Sequence, residues 1–289
     1  MPDEKVPFPR LGCHLSIGKG LDVTSRNAAK MEVETFQVFL RNPRGSGFRV
    51  WGDREIQQFK ETINKHRIYP VVAHIPYIVN PASPRDDLYE LAGRVITEDL
   101  NRCDIIEAPY LVLHPGSRGD ATTEEAIDRL IALVNNILDG NEGKAVLLIE
   151  TMSGMGKEIC SNFDEMKQLW QGIKRKDRLG ICFDSCHLFA AGYDVATTDG
   201  LSRLLDEIDS KVGIRYLKVV HINDSLRELG SRIDRHAPIG KGHIGVVGIT
   251  NIMKNSVLKK LPFILETPTA TIEQDLQVLR DIRASIQQD

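Results

Sequence analysis

The stretch Thr122–Glu150, "TTEEAIDRLIALVNNILDGNEGKAVLLIE", decides how the rest of the chain is read. Thr122 and Glu125 stand in capping-box register, Ile127, Leu130, Ile131, Val134 and Leu138 fall on one helical stripe, and Gly140 ends the pattern. After a polar break comes "VLLIE", a short unbroken apolar run suited to a strand buried on both faces, and it ends on a carboxylate. One amphipathic helix feeding one buried strand is the repeating unit of an α/β protein.

The unit recurs along the chain. "RLGCH", "TFQVFL", "YPVVAH", "YLVLH", "VLLIE", "GICFD", "LKVVH" and "PFILE" are eight such runs, and successive ends lie 26 to 45 residues apart, room for a strand, a loop and a helix. A second helix is legible in "NFDEMKQLWQGIK", with Asn162 and Glu165 as the capping box and Met166, Leu169, Trp170 and Ile173 as the stripe. Eight alternations predict a (β/α)8 TIM barrel; a doubly wound open sheet would give no reason for polar residues at so many strand ends. No Pro/Gly/Ser linker divides the chain, so residues 1–289 are expected to form a single domain.

Composition sets outer bounds. The 289 residues are 42% hydrophobic and 27% charged, ample for a deep core, and the net charge of −3 excludes a globally basic nucleic-acid binder while leaving a local patch open. Cys13, Cys103, Cys160, Cys182 and Cys186 are odd in number and form no CxxC pair, which argues against a disulfide framework or a zinc ribbon and for a reducing cytoplasm. The beginning, "MPDEKVPFPR", has no apolar segment, and no run approaches the ~18 apolar residues of a membrane span, so no membrane association is expected.

The chemistry collects at the run ends. Six of the eight close on a candidate metal ligand: His74, His114, Glu150, Asp184, His221 and Glu266. In a barrel these ends meet at the C-terminal face, where catalytic groups sit. Imidazoles and carboxylates facing one another in a buried mouth need a cation, and a donor set without thiolate suits zinc first, then manganese or iron. His187 lies one turn beyond Asp184. In the polar segment "HINDSLRELGSRIDRHAPIGKGHIG" (His221–Gly245), Asp234 and His236 are two apart, so in extended chain both point to one side while Arg235 points away.

These motifs carry a resemblance. "HIPYIVNPASP" (His74–Pro84), "LVLHPGS" (Leu111–Ser117), "GICFDSCHLFAAGYD" (Gly180–Asp194), "HINDS" (His221–Ser225) and "GSRIDRHAPIGKGHIG" (Gly230–Gly245) resemble the endonuclease IV family of apurinic/apyrimidinic endonucleases over nearly the whole chain. The resemblance implies three Zn2+ ions per chain, with partial replacement by Mn2+ tolerated. His74 and His114 would hold one, Glu150 would bridge to a second held by Asp184, His221 and Glu266, and His187, Asp234 and His236 would hold the third. Glu150 and Glu266 are then the carboxylates of catalysis. The implied reaction is hydrolysis of the phosphodiester 5′ to an abasic site in double-stranded DNA, leaving a 3′-hydroxyl, with trimming of blocked 3′ ends and nicking beside damaged bases. Tyr77 and Ile78 match the family's wedge, Arg44 its inserted arginine, and Arg232, Arg235 and Lys241 are expected on DNA phosphates. A cytoplasmic monomer that acts on nucleoid DNA is expected.

Other signals weigh less. "GKGHIG" satisfies GxGxxG but follows a polar loop instead of a strand, so the dinucleotide reading fails; turning of the ligand loop accounts for its glycines. Cys182 and Cys186 are expected to pack in the core, His14 to support the ligands, and His66 to be exposed at a helix end. The chain departs from the family pattern at Leu226, where lysine is common, at Met155, where glutamine is common, and in the lengthened "GSGFRV" loop after Arg44. The rivals are a metal-dependent sugar isomerase or epimerase, which has no use for the Asp234–His236 loop, and a non-catalytic DNA-binding module, which has no use for so many metal ligands.

Overall fold

Every apolar run quoted above becomes a strand of one closed sheet. The computed structural model describes residues 9–268 and 270–288. In chain order the strands are β1 (Arg10–Leu15), β2 (Thr35–Phe39), β3 (Val71–His74), β4 (Tyr110–Leu113), β5 (Val146–Glu150), β6 (Leu179–Asp184), β7 (Leu217–His221), the two-residue β8 (Asp224–Ser225) and β9 (His236–Ala237), and β10 (Pro262–Leu265). Eight of them close in the order β1-β10-β7-β6-β5-β4-β3-β2. All eight pairings are parallel, so all C-terminal ends lie on one rim. This is the TIM barrel that the eight runs predict.

Period-two alternation explains why the strands read as unbroken apolar runs. Val72, Val112, Leu148, Cys182, Val219 and Ile264 pack together as a cluster of their own, separate from the larger core. Their neighbours Ala73, Leu111, Leu113, Leu147, Ile149, Ile181, Phe183, Val220, Phe263 and Leu265 belong to that larger core with the helices. One set fills the barrel and the other packs beneath the helix shell, so both faces of each strand demand apolar side chains.

The helices are α1 (Leu21–Lys30), α2 (Asp53–Lys65), α3 (Asp86–Ile106), α4 (Thr123–Gly140), α5 (Phe163–Gly172), α6 (Ser185–Ala191), α7 (Thr198–Lys211), α8 (Gly245–Lys254) and α9 (Ile272–Gln288). Thr122 caps α4 with both arms of the capping box formed. At α5 only one arm forms: Asn162 accepts from the Asp164 and Glu165 backbone N–H groups, while Glu165 accepts from the Cys160 backbone N–H and the Asn162 side-chain amide and not from the Asn162 backbone N–H. The interval between β6 and β7 also departs from one helix per strand. It holds α6 and α7, the first capped by the Asp184 side chain, which accepts from the His187 amide at 2.7 Å.

Candidate metal centre

Two residues past each member of the barrel-filling cluster stands a polar residue: His74 after Val72, His114 after Val112, Glu150 after Leu148, Asp184 after Cys182, His221 after Val219 and Glu266 after Ile264. A step of two keeps a strand residue on the same face, so these six point into the barrel mouth. His114 and Glu266 lie one residue beyond the strands proper. Donor atoms of His74, His114 and Glu150 lie within 4.8 Å of one another, as do those of Glu150, Asp184, His221 and Glu266, so Glu150 belongs to both groups. Glu150, Asp184 and His221 are wholly buried.

Hydrogen-bond polarity tests whether such groups fit a metal. His74 Nδ1 lies 2.7 Å from the Ile75 carbonyl, which can only accept, so the ring carries its proton there and turns a bare Nε2 toward Glu150 Oε2 at 3.0 Å. His187 repeats this, with Nδ1 donating to the Thr151 carbonyl at 2.9 Å and Nε2 facing Asp234 Oδ2 at 3.2 Å. Contacts this short between a ring nitrogen and a carboxylate oxygen need positive charge between them, supplied by a second ring proton or by a metal ion. His236 Nε2 is buried with no hydrogen-bond partner although Asp234 Oδ1 is 3.2 Å away. The donor set fits divalent metal.

The field points the same way. Burial alone would favour neutral groups, yet the charge of His114 and His221 holds the Glu150 carboxyl well below its ordinary range. Burial likewise opposes charge on His187, and Asp184, Asp234 and Glu150 together raise it well above its usual value. His236 rises to about 9 for the same reason, through Asp234 and Asp184. The site selects positive charge.

The Asp234–His236 segment reaches the mouth through its own small scaffold. β8 and β9 pair antiparallel, Asp224 with Ala237 and Ser225 with His236. Buried Asp224 then accepts backbone N–H groups from Ser225, Gly240, Gly242, Ile244 and Gly245 at 2.8 to 3.2 Å. A Cβ on Gly242 would meet Ser225 O at 2.3 Å and Asp224 Oδ1 at 2.5 Å, so close approach accounts for the glycine. Asp234 meets both His187 and His236, each at 3.2 Å. The mutually close triads here are Asp184 with His187 and His236, and Cys186 with Asp234 and His236; Asp184 and the buried Cys186 thus stand nearer this end of the site than the sequence suggests.

The expected DNA-facing residues surround the mouth. Tyr77 is 60% exposed and packs its ring 5.8 Å from His74, 5.5 Å from His114 and 5.2 Å from Phe39. Ile78 beside it is also exposed. Arg232 is exposed, with its Nη1 beside Gly154, while Arg235 donates to the Asp234 carbonyl at 2.7 Å and Lys241 is exposed on the same loop. Arg44 is exposed and makes no ion pair among the described residues. The loop that carries it walls a cleft of about 680 Å3 lined by His14, Phe39, Asn42, Phe48 and Trp51. Leu226 and Met155 are both exposed, and His66 lies exposed after α2.

Sequence reasoning passed over Gln37 and Asn223. Gln37 is a wholly buried amide among the ligands, and its signal was a polar residue inside the apolar run "TFQVFL". Asn223 donates to Asp184 Oδ2 at 2.8 Å and accepts from the Glu266 amide at 2.9 Å.

The profile of the xylose isomerase-like TIM barrel family matches residues 25–283. A protein of Halothermothrix orenii described as a probable endonuclease 4 is 41% identical over 259 residues, 90% of this chain and 93% of that one. Endonuclease IV from Thermus thermophilus superposes with a TM-score of 0.84 at 34% identity, covering 97% of this chain and all of that one. A D-tagatose 3-epimerase-like protein, 16% identical with a TM-score of 0.74 over 96% of this chain and 98% of that one, shares the fold.

Proposed function

The chain belongs to the endonuclease IV family of nucleases, and from that premise we propose that it is a zinc-dependent DNA-repair enzyme incising the backbone 5′ to abasic sites and leaving a 3′-hydroxyl. One observation carries the reading: two buried donor groups that share Glu150 meet at the barrel mouth beside a loop delivering Asp234 and His236. In this reading His74, His114, Glu150, Asp184, His221 and Glu266 hold two zinc ions, and His187, Asp234 and His236 hold a third. When bound, the ions supply Lewis-acid charge to the phosphoryl oxygens and acidify water. Residues 1–289 act as a single domain and as a cytoplasmic monomer; among the described residues no helix is long and apolar enough to cross a membrane.

The chain's own groups then have distinct tasks. Glu150 ties the two groups together and holds its charge because His114 and His221 flank it. Glu266 completes the second group, and its backbone N–H is held by the Asn223 side chain. Tyr77 and Ile78, exposed at the rim, enter the gap where a base is missing, and Arg44 fills the stack from the lengthened loop. Arg232, Arg235 and Lys241 grip phosphates on the strand beside the mouth. Trimming of blocked 3′ ends and nicking beside damaged bases use the same hydrolysis.

The test is elemental analysis of dialysed protein together with cleavage of a duplex carrying one abasic analogue, before and after stripping with a zinc chelator. Near three zinc ions per chain, with 5′ incision lost on stripping and restored by zinc, is the expected result. Incision indifferent to stripping would overturn the metal mechanism, and turnover of a ketose in place of DNA would return the sugar epimerase reading.

A further inference from the structure

β1 and β2 contribute no ligand to the centre, yet β2 places a wholly buried polar side chain against it. Gln37 lies opposite Val72 of β3 in the sheet register, and so at the level of the apolar layer that fills the barrel. An aliphatic side chain would suffice for packing at that level. The amide instead makes three contacts: Oε1 to His221 Nε2 at 2.8 Å, Nε2 to Glu266 Oε1 at 2.6 Å, and Nε2 to His14 Nδ1 at 3.1 Å.

The polarity of these contacts is forced. A carboxylate oxygen only accepts, so the group facing Glu266 must be the amide NH2; turning the amide over would set two acceptors 2.6 Å apart. The oxygen then faces His221 Nε2, which must carry the ring proton. That makes His221 Nδ1 the nitrogen open to a metal ion in place of a proton, and it is Nδ1 that faces Glu150 Oε1 at 3.0 Å and Glu266 Oε2 at 3.2 Å. The same amide ties down Glu266 Oε1 and leaves Oε2 for the centre. Its second hydrogen goes to His14, so both amide hydrogens are used.

We propose that Gln37 is a positioning residue of the centre, selecting the nitrogen of His221 and the oxygen of Glu266 that face the ion held by Glu150, Asp184, His221 and Glu266. The proposal rests on the metal reading above. A partner of this kind orients a ligand and tunes its basicity, and its loss costs roughly 10- to 100-fold in metal affinity or activity.

The experiment uses the full-length, zinc-loaded protein with two substitutions. Gln37→Met keeps the approximate shape and removes all three contacts; Gln37→Glu keeps the acceptor for His221 and removes the donors to Glu266. Each is titrated with a competing zinc chelator, with zinc counted by elemental analysis, fold followed by circular dichroism, and incision kinetics measured on the abasic-analogue duplex. Expected is release of one zinc per chain at roughly 10- to 100-fold lower chelator, with the others retained, the fold intact, and kcat reduced at unchanged KM. A wild-type release profile in both variants overturns the proposal, as does loss of all zinc together with the fold in both. Should Gln37→Met not fold, Gln37→Glu decides by the same criteria. A wild-type protein that binds no zinc overturns the metal reading itself and this inference with it, so the two failures are told apart by the wild-type measurement.

Discussion

Two layers of the barrel interior lie two residues apart along the same strands and obey opposite rules. The lower is Val72, Val112, Leu148, Cys182, Val219 and Ile264, fully buried and apolar. The upper is His74, His114, Glu150, Asp184, His221 and Glu266, all but His114 and Glu266 equally buried, and made of groups that water would otherwise solvate. Burial stabilises the lower layer by removing apolar surface from water, about 25 cal/mol per Å2. The same burial penalises the upper layer, whose carboxylates and bare imidazole nitrogens hold together only around positive charge. The lower layer makes the barrel; the upper layer makes it useful.

The sharpest way to break this comparison is at Glu150, which both upper groups share. Gln at this position removes a charge and a shared donor, and we expect kcat/KM for incision to fall at least about a thousandfold, since the metal supplies several kcal/mol of transition-state stabilisation. Activity within tenfold of wild type would mean that the upper layer is not the reaction centre. One layer down, Leu148→Ala is expected to cost roughly 3 kcal/mol of stability in denaturant unfolding through the cavity it leaves. Zinc content should stay at the wild-type level; loss of zinc there would show that the layers are not separable.

The field of the upper layer can be sharpened by titration of metal-stripped protein. His236 is raised from 6.5 to about 9, so its contribution to stability is fully present below pH 6.5 and is lost as pH rises through about 9. Stripped wild-type protein should therefore unfold at lower denaturant at pH 9 than at pH 6.5, and His236→Asn should reduce that difference. Equal midpoints in wild type would remove the argument that the carboxylates select positive charge. The smallest effect belongs far from both layers: Thr122→Ala, which deletes the α4 cap, should cost about 1 kcal/mol and leave incision unchanged.

Much of this was legible in the sequence because both determinants are local. A buried parallel strand must be apolar on both faces, a surface helix must carry one stripe, and a residue at the end of a barrel strand falls on the catalytic rim whatever the loops do. "VLLIE" therefore announces both a strand and its ligand, and "TTEEAIDRL" both a helix and its cap. The half-formed box at α5 and the extra α6 were not legible, since the destination of the Glu165 carboxylate and the early capping by Asp184 depend on how loops return to the barrel.

The sequence by itself determined the alternation of strand and helix, the rim on which six candidate metal ligands stand, and the resemblance that they carry. Only the tertiary structure decided which donors group together, that Asp224 gathers five backbone amides to present Asp234 and His236, and that Gln37 meets His221 and Glu266. Those last partners lie 184 and 229 residues further along the chain. The reason is geometric: closure brings β10 against β1 and sets one shared interior, and contacts across that interior have no period or spacing in the sequence to betray them.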